Sequence, residues 1–189
     1  GSEMCIRDRA MCAHVRTSKV DNNLFEKETL GWKISGNVAS KLEVRRGGVY
    51  KQRYLHISHE ESETIVITQD LKNIEQNNYE LVGFVKLKQT EENNKVKLKL
   101  ALKGSYNLNQ NTVNYQKEVE ETKETINFKK LTTGKLTLPE GITNLKMQIE
   151  ITITGGKGEV SLDDFKLYPN ENNSIDNICL LYTSPSPRD

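Results

Sequence analysis

Apolar and polar residues alternate one for one along several stretches of this chain. Tyr79, Leu81, Gly83, Val85 and Leu87 alternate with Glu80, Val82, Phe84, Lys86 and Lys88. Val96, Leu98, Leu100 and Leu102 alternate with Lys97, Lys99, Ala101 and Lys103, and Leu145, Met147, Ile149, Ile151 and Ile153 form the longest clean run. Side chains of a strand change face at every residue, so this period predicts strands with one buried face. Glu91 to Asn94 reads as a short hairpin connection between the first two runs. Tyr54-Leu55-His56-Ile57, the Ile65/Ile67 segment and Val38 to Val44 read as shorter strands, with Arg45-Arg46-Gly47-Gly48 as a turn. Phe128 to Leu138 alternates loosely and stops at Pro139, which cannot donate to a ladder. Gly104 to Glu124 is polar and poorly patterned, predicting loops with a ragged strand around Val113 to Val119. No segment repeats, and none has the period of an amphipathic helix. Short strands with turns between them point to an all-β sandwich.

The closing segment breaks the rule in an informative way. Gly155-Gly156-Lys157-Gly158 reads as a hairpin turn leading into it, after which Val160 and Leu162 share one face. Phe165 and Leu167 also pair, but with the opposite parity. A parity switch needs an extra residue or a bend, and it falls on Asp163-Asp164. Two carboxylates therefore sit at a kink and require neutralisation or solvent.

Composition narrows the function classes. The 189 residues suffice for one domain, with 35% hydrophobic, 6% aromatic and 28% charged residues, which suits a thin two-layer core. A formal net charge of +1 supplies no field to steer nucleic acid, and interleaved glutamates argue against it. No apolar run approaches the roughly 20 residues of a membrane-spanning helix, so no membrane insertion is expected.

The two ends resemble translated sequencing adapter. Gly1 to Arg9 (GSEMCIRDR) and Cys179 to Asp189 (CLLYTSPSPRD) correspond to one adapter sequence and its reverse complement, a relation that independent protein termini would not share. Removing them from the fold reasoning leaves Cys12 as the one cysteine that could be native, so no disulfide framework is expected. It also makes the chain a fragment truncated at both ends. The expected organisation is an adapter-derived start and unstructured lead-in over 1–21, one module over 22–168, and a linker with adapter-derived tail over 169–189.

The module carries a set of motifs in a characteristic order: Phe25-Glu26, Gly31-Trp32, Gly36-Asn37, Tyr79-Glu80-Leu81-Val82-Gly83-Phe84-Val85-Lys86, Leu136-Thr137-Leu138-Pro139 and Leu162-Asp163-Asp164-Phe165-Lys166-Leu167. In this order and spacing they resemble the bacterial carbohydrate-binding modules of galactose-binding-like jelly-roll fold, from Asn22 to Tyr168. The resemblance implies a two-sheet antiparallel jelly-roll β-sandwich attached to a secreted or surface protein, extracellular or at the cell surface. It also implies glycan binding and, in many members, one structural calcium ion. Two departures stand out. Phe128 occupies the place of a frequent tryptophan, and the segment between Gly104 and Phe128 is long and charged.

Glu26 near one end of the module and Asp163 with Asp164 near the other are the candidate metal ligands. Calcium takes about six to eight oxygen ligands from carboxylates and carbonyls. The Arg45 to Arg53 turn would add carbonyls, as the matching loop does in the family. Asp164 is the first choice, following the family motif. Trp32 reads as core rather than as a sugar platform, and Tyr79, Phe84, Phe128 and Phe165 as packing residues. That leaves Tyr50, Tyr54, Tyr106 and Tyr115 as candidate ligand contacts. Tyr106 and Tyr115, with Asn107 and Gln116, combine aromatic faces with amides and are the expected glycan contacts. Lys86, Lys88, Lys97, Lys99 and Lys103 would line either a solvated face or a site for acidic glycans.

Catalysis finds little support. His56-x-x-His59 has no third ligand in reach by sequence, no phosphate loop, nucleophile elbow or Cys–His pair is present, and adjacent aspartates point apart. The reading is a non-catalytic glycan-binding module with a structural calcium, one of several domains in a larger modular protein whose partner is a polysaccharide. The alternatives are a structural or interaction module of a toxin, adhesin or phage tail protein, and a fragment of a larger glycoside hydrolase.

Overall fold

Strict alternation over Leu145–Ile153 and its neighbours leaves each strand one apolar stripe, and the stripes can only be hidden by facing another sheet. The computed structural model does this. It describes residues 19–23, 25–26, 29–36, 41–49, 53–75, 77–89 and 94–169. Within them lie β1 (Lys33–Gly36), β2 (Lys41–Arg46), β3 (Arg53–His59), β4 (Glu63–Asp70), β5 (Asn78–Gln89), β6 (Lys95–Leu108), β7 (Asn111–Glu121), β8 (Lys129–Thr137), β9 (Thr143–Thr154) and β10 (Gly158–Pro169). The first sheet runs β1-β4-β9-β6-β7 and the second β2-β3-β10-β5-β8, all pairs antiparallel. The expected all-β, two-sheet jelly-roll sandwich is what the chain forms. The adapter-like ends, Asn37, Tyr50 and the Glu91–Asn93 part of the expected turn lie outside the described residues.

The core is the space between the two inner faces. Leu55, Ile57, Ile65, Ile67, Leu81, Leu87, Leu98, Leu100, Met147, Ile149, Ile151, Val160 and Leu162 are fully buried there. Burial of each such side chain contributes about 1.5–3 kcal/mol before conformational entropy is counted.

Two expected hairpins are corrected. β5 and β6 are not neighbours but lie in opposite sheets, as do β9 and β10. Only β2–β3 and β6–β7 join adjacent strands of one sheet. Alternation gives each strand a face but carries no record of which sheet receives it. Consequently Lys86 and Lys88 point out of the second sheet, whereas Lys97, Lys99 and Lys103 point out of the first. Gly104 to Glu124 is mostly strand rather than loop, and the ragged strand expected around Val113 to Val119 is part of β7. The segment holds the end of β6, a two-residue turn and β7, with Asn109 and Gln110 both at positive φ (51° and 68°). That pair of conformations is a type I′ turn, which matches the twist of a tight hairpin.

The parity switch of the closing strand is a β-bulge. Asp163 pairs with Phe84 and Lys166 with Val82, so three steps on β10 face two on β5. Asp164 takes a left-handed conformation (φ 52°) to make the step. Beyond the bulge, β3 no longer pairs with β10. The segment before β1 takes its place, Lys19 N donating to Leu167 O at 2.7 Å and Phe165 N to Asn23 O at 3.2 Å. Phe25, Trp32 and Phe165 seal this end, with Phe25 stacked on Trp32 (5.2 Å between centroids) and Phe165 edge-on to it (6.5 Å). Trp32 is buried, as expected of a core residue, and its Nε1 donates to Asn22 O at 3.1 Å.

Candidate functional site

The bulge places Asp163 and Asp164 in the interior, both without solvent exposure. Asp163 Oδ2 accepts from Val49 N (2.7 Å) and Oδ1 from Asp164 N (2.9 Å). Asp164 Oδ1 accepts from Asn23 Nδ2 (3.2 Å), and its Oδ2 faces Lys166 Nζ (3.2 Å). Glu26 accepts from Arg53 N at 3.2 Å and adds its charge to that of Asp164 on Asp163. Burial foremost, then these like charges, push the Asp163 carboxyl up to about 8 despite its two backbone donors. Lys166 is driven the other way by burial, opposed by Asp164.

The donors here are oxygens, as a hard cation requires. A methyl group on Gly48 would lie 2.6 Å from Asp163 Oδ2 and 2.3 Å from Arg53 O, so a carboxylate and a carbonyl converge on a space only glycine leaves open. The oxygens on offer to a cation here are those of Asp163, Glu26 and backbone carbonyls, with Asp164 tied to Lys166. Among the described residues no three His, Cys, Asp or Glu side chains converge to hold a metal by themselves. Carbonyls would have to complete the shell.

The hairpin β6–β7 separates the expected ligand residues. Gly104 pairs with Tyr115 and Tyr106 with Val113, while Asn107 pairs with Thr112 and Lys103 with Gln116. Tyr106 and Tyr115 therefore lie on the core side of the hairpin, packed with the hydrophobic cluster, and Asn107 and Gln116 lie on the outer side. Tyr115 and Gln116 both border a cleft of about 690 Å³ together with Asp70, Asn114, Asn144 and Lys146. Tyr106 and Asn107 do not. The outer face of this first sheet carries Lys97, Lys99, Glu118, Glu120 and Glu150 and no aromatic ring among the described residues.

Aromatic side chains instead gather outside the second sheet. Register aligns Glu43, His56, Ser161 and Lys86 in one row across β2, β3, β10 and β5, with Arg45 beside Tyr54 and Glu159 beside Lys88. All of these except Glu43, with Glu124, Thr125 and Ile126, line a groove of about 560 Å³. Tyr54 and Phe128 meet edge to face at 5.4 Å, and Lys86 Nζ stands 5.9 Å from the first ring and 5.1 Å from the second. Phe84 and Phe128, expected as core, are only half-buried on this outer face, whereas Tyr79 and Phe165 are fully buried. His56 Nδ1 lies 3.2 Å from Ser161 Oγ, and burial lowers the imidazole's pKa. His59 projects to the opposite side of β3, which excludes a shared metal with His56. The convergence of His56, Ser161, Lys86 and Phe128 had one visible signal, the aromatic tyrosine at the start of β3; the rest depends on cross-strand register.

Comparison with known proteins places this fold. No family model and no curated protein matches the chain. Solved structures do. TmCBM61, described in complex with β-1,4-galactotriose, superposes with a TM-score of 0.54 at 19% identity, covering 81% of this chain and 99% of its own. A family 16 carbohydrate-binding module gives 0.57 at 12%, covering 79% and 98%. The enzymatically active domain of tailspike protein 4 from bacteriophage CBA120 gives 0.56 at 16%, with 82% of this chain matching 22% of that one. The chain thus has the jelly-roll β-sandwich fold of carbohydrate-binding modules.

Proposed function

We propose that this chain is a non-catalytic glycan-binding module of a secreted or surface bacterial protein. The observation that carries this reading is the groove outside the second sheet, where Tyr54 and Phe128 meet His56, Ser161, Thr125 and charged side chains. A sugar offers a C–H face to an aromatic ring and hydroxyls to polar groups, and the groove supplies both. The cleft at Tyr115 and Gln116 is the second place for such contacts, with Tyr106 and Asn107 on the same hairpin. A glycan-array screen of the whole chain, repeated with Tyr54→Ala and with Gln116→Ala, tests the assignment. Signals lost on Tyr54→Ala support the groove; signals lost only on Gln116→Ala move the site to the hairpin. An array with no signal sinks the function.

The structural likeness to a tailspike domain also supports a second reading, an interaction or spacer module. It predicts a blank array.

The same proposal includes a structural calcium held by Asp163 and Glu26 with the Arg53 carbonyl, beside the Asp164–Lys166 pair. Bound there, the ion would neutralise buried carboxylates and tie the segment before β1 to β10. At a concentration 100-fold above its dissociation constant it would add about 2.7 kcal/mol, roughly 5–10 °C in melting temperature. Calorimetry with excess calcium and with EDTA reads this directly. An identical midpoint in both, or a shift that survives Asp163→Asn, rules the site out.

A further inference from the structure

Charges in the groove outside the second sheet are unequally committed. Glu159 lies 3.4 Å from His56 Nε2 and 3.8 Å from Lys88 Nζ. Glu124 accepts from Gln89 N at 3.1 Å, and Arg45 is ion-paired to Glu43. Lys86 differs. Its half-buried side chain sets the ammonium against the faces of Tyr54 and Phe128, and among the described residues no carboxylate stands within ion-pair distance of it. Two aromatic faces hold the side chain in place but leave its N–H donors toward the groove, since a ring attracts a cation without accepting a full hydrogen bond. A cation that lines a cleft whose neighbouring charges are already paired is a site for an anion, which its N–H donors can meet with charge-assisted hydrogen bonds.

We propose that the groove selects an anionic sugar residue, with Lys86 receiving its carboxylate or sulfate while Tyr54 contacts the ring. This rests on the glycan-binding reading and adds the charge class of the ligand. The committed glutamates on either side disfavour a second anion close by, so isolated or alternating charges suit the groove better than a densely charged polymer.

Titration calorimetry with the whole chain tests this. The probes are oligogalacturonate, mixed uronate-bearing xylo-oligosaccharide and sulfated galacto-oligosaccharide, each beside its carboxyl-reduced or desulfated form. The expected result is roughly tenfold or greater preference for a charged form over its neutral counterpart. Lys86→Gln should abolish that preference, and Lys95→Gln, at the start of β6 in the other sheet and away from both clefts, should leave it intact. The uronate and sulfate arms distinguish which anion is read. Equal affinity for charged and neutral forms, or a preference unmoved by Lys86→Gln, overturns the charge assignment and leaves glycan binding standing. No binding of any probe, charged or neutral, overturns both.

Discussion

Gly83 faces Phe165 across the pair β5–β10, and a β-carbon there would lie 2.2 Å from the ring. The ring cannot retreat, because Trp32 meets it from the other side. Gly83→Ala should therefore destabilise by about 1–3 kcal/mol, as overpacking of a filled core does, read from urea midpoints. A change within error would mean that the aromatic cluster yields more readily than its packing indicates. Two histidines make a separate residue-level case. His56 and His59 are buried, and burial lowers the pKa of both. The unfolded chain takes up protons below about 6.5 and the folded chain only at lower pH, so their contribution is lost as pH falls through that window. Asp163 acts in the opposite direction: its raised pKa favours the fold at low pH and costs stability as pH rises toward about 8. The histidine effect is accordingly the difference between the wild type and His56→Asn/His59→Asn, measured in EDTA from pH 5 to 8. That difference should shrink on acidification; a constant one removes the histidines from the pH profile. At this scale Trp32 was legible from its place beside Gly31, and Phe165 from its parity. The face of Phe84 was legible as well, opposite the Leu81–Val85 row, whereas that of Phe128 was not, because no clean alternation marks its segment.

At the bulge, one residue supplies both the conformation and the charge. Asp164 adopts a left-handed backbone that side-chain-bearing residues avoid, aspartate less than most, and its carboxylate faces buried Lys166. Asp164→Ala should cost about 3–5 kcal/mol in the presence of EDTA, the range for breaking one side of a buried ion pair. Asp164→Asn removes the same charge but tolerates the left-handed backbone, so it should cost less only by the part that belongs to the turn. Equal losses would place the energy in the charge rather than in the turn. The bulge is the element that the sequence announced most openly, because a change of parity between Leu162 and Phe165 has few other causes. The β6–β7 hairpin was concealed by the converse situation. Beyond Leu102 its outer side chains are polar and its inner ones only partly covered, so no alternation marks it. Its remaining signal was Asn109-Gln110 at the turn, and that is a weak one. Partner strands were illegible throughout: the β5–β6 and β9–β10 connections look like hairpins in sequence and pass between sheets in space.

Over the whole molecule, nearly every connection passes from one sheet to the other, so neither sheet can separate without opening the common core. Thermal unfolding should be one transition, with calorimetric and van't Hoff enthalpies equal. Two resolved transitions would mean that the sheets melt independently. The bond from Lys19 N to Leu167 O has a consequence for how such a body is carried. It puts the first described residues beside the last strand, so the backbone comes in and goes out at one pole of the sandwich. Any segment joined at each of these two ends would meet the sandwich on the same side, with little distance between the two attachments. A spacer needs its attachment points at opposite poles; a grasping module does not.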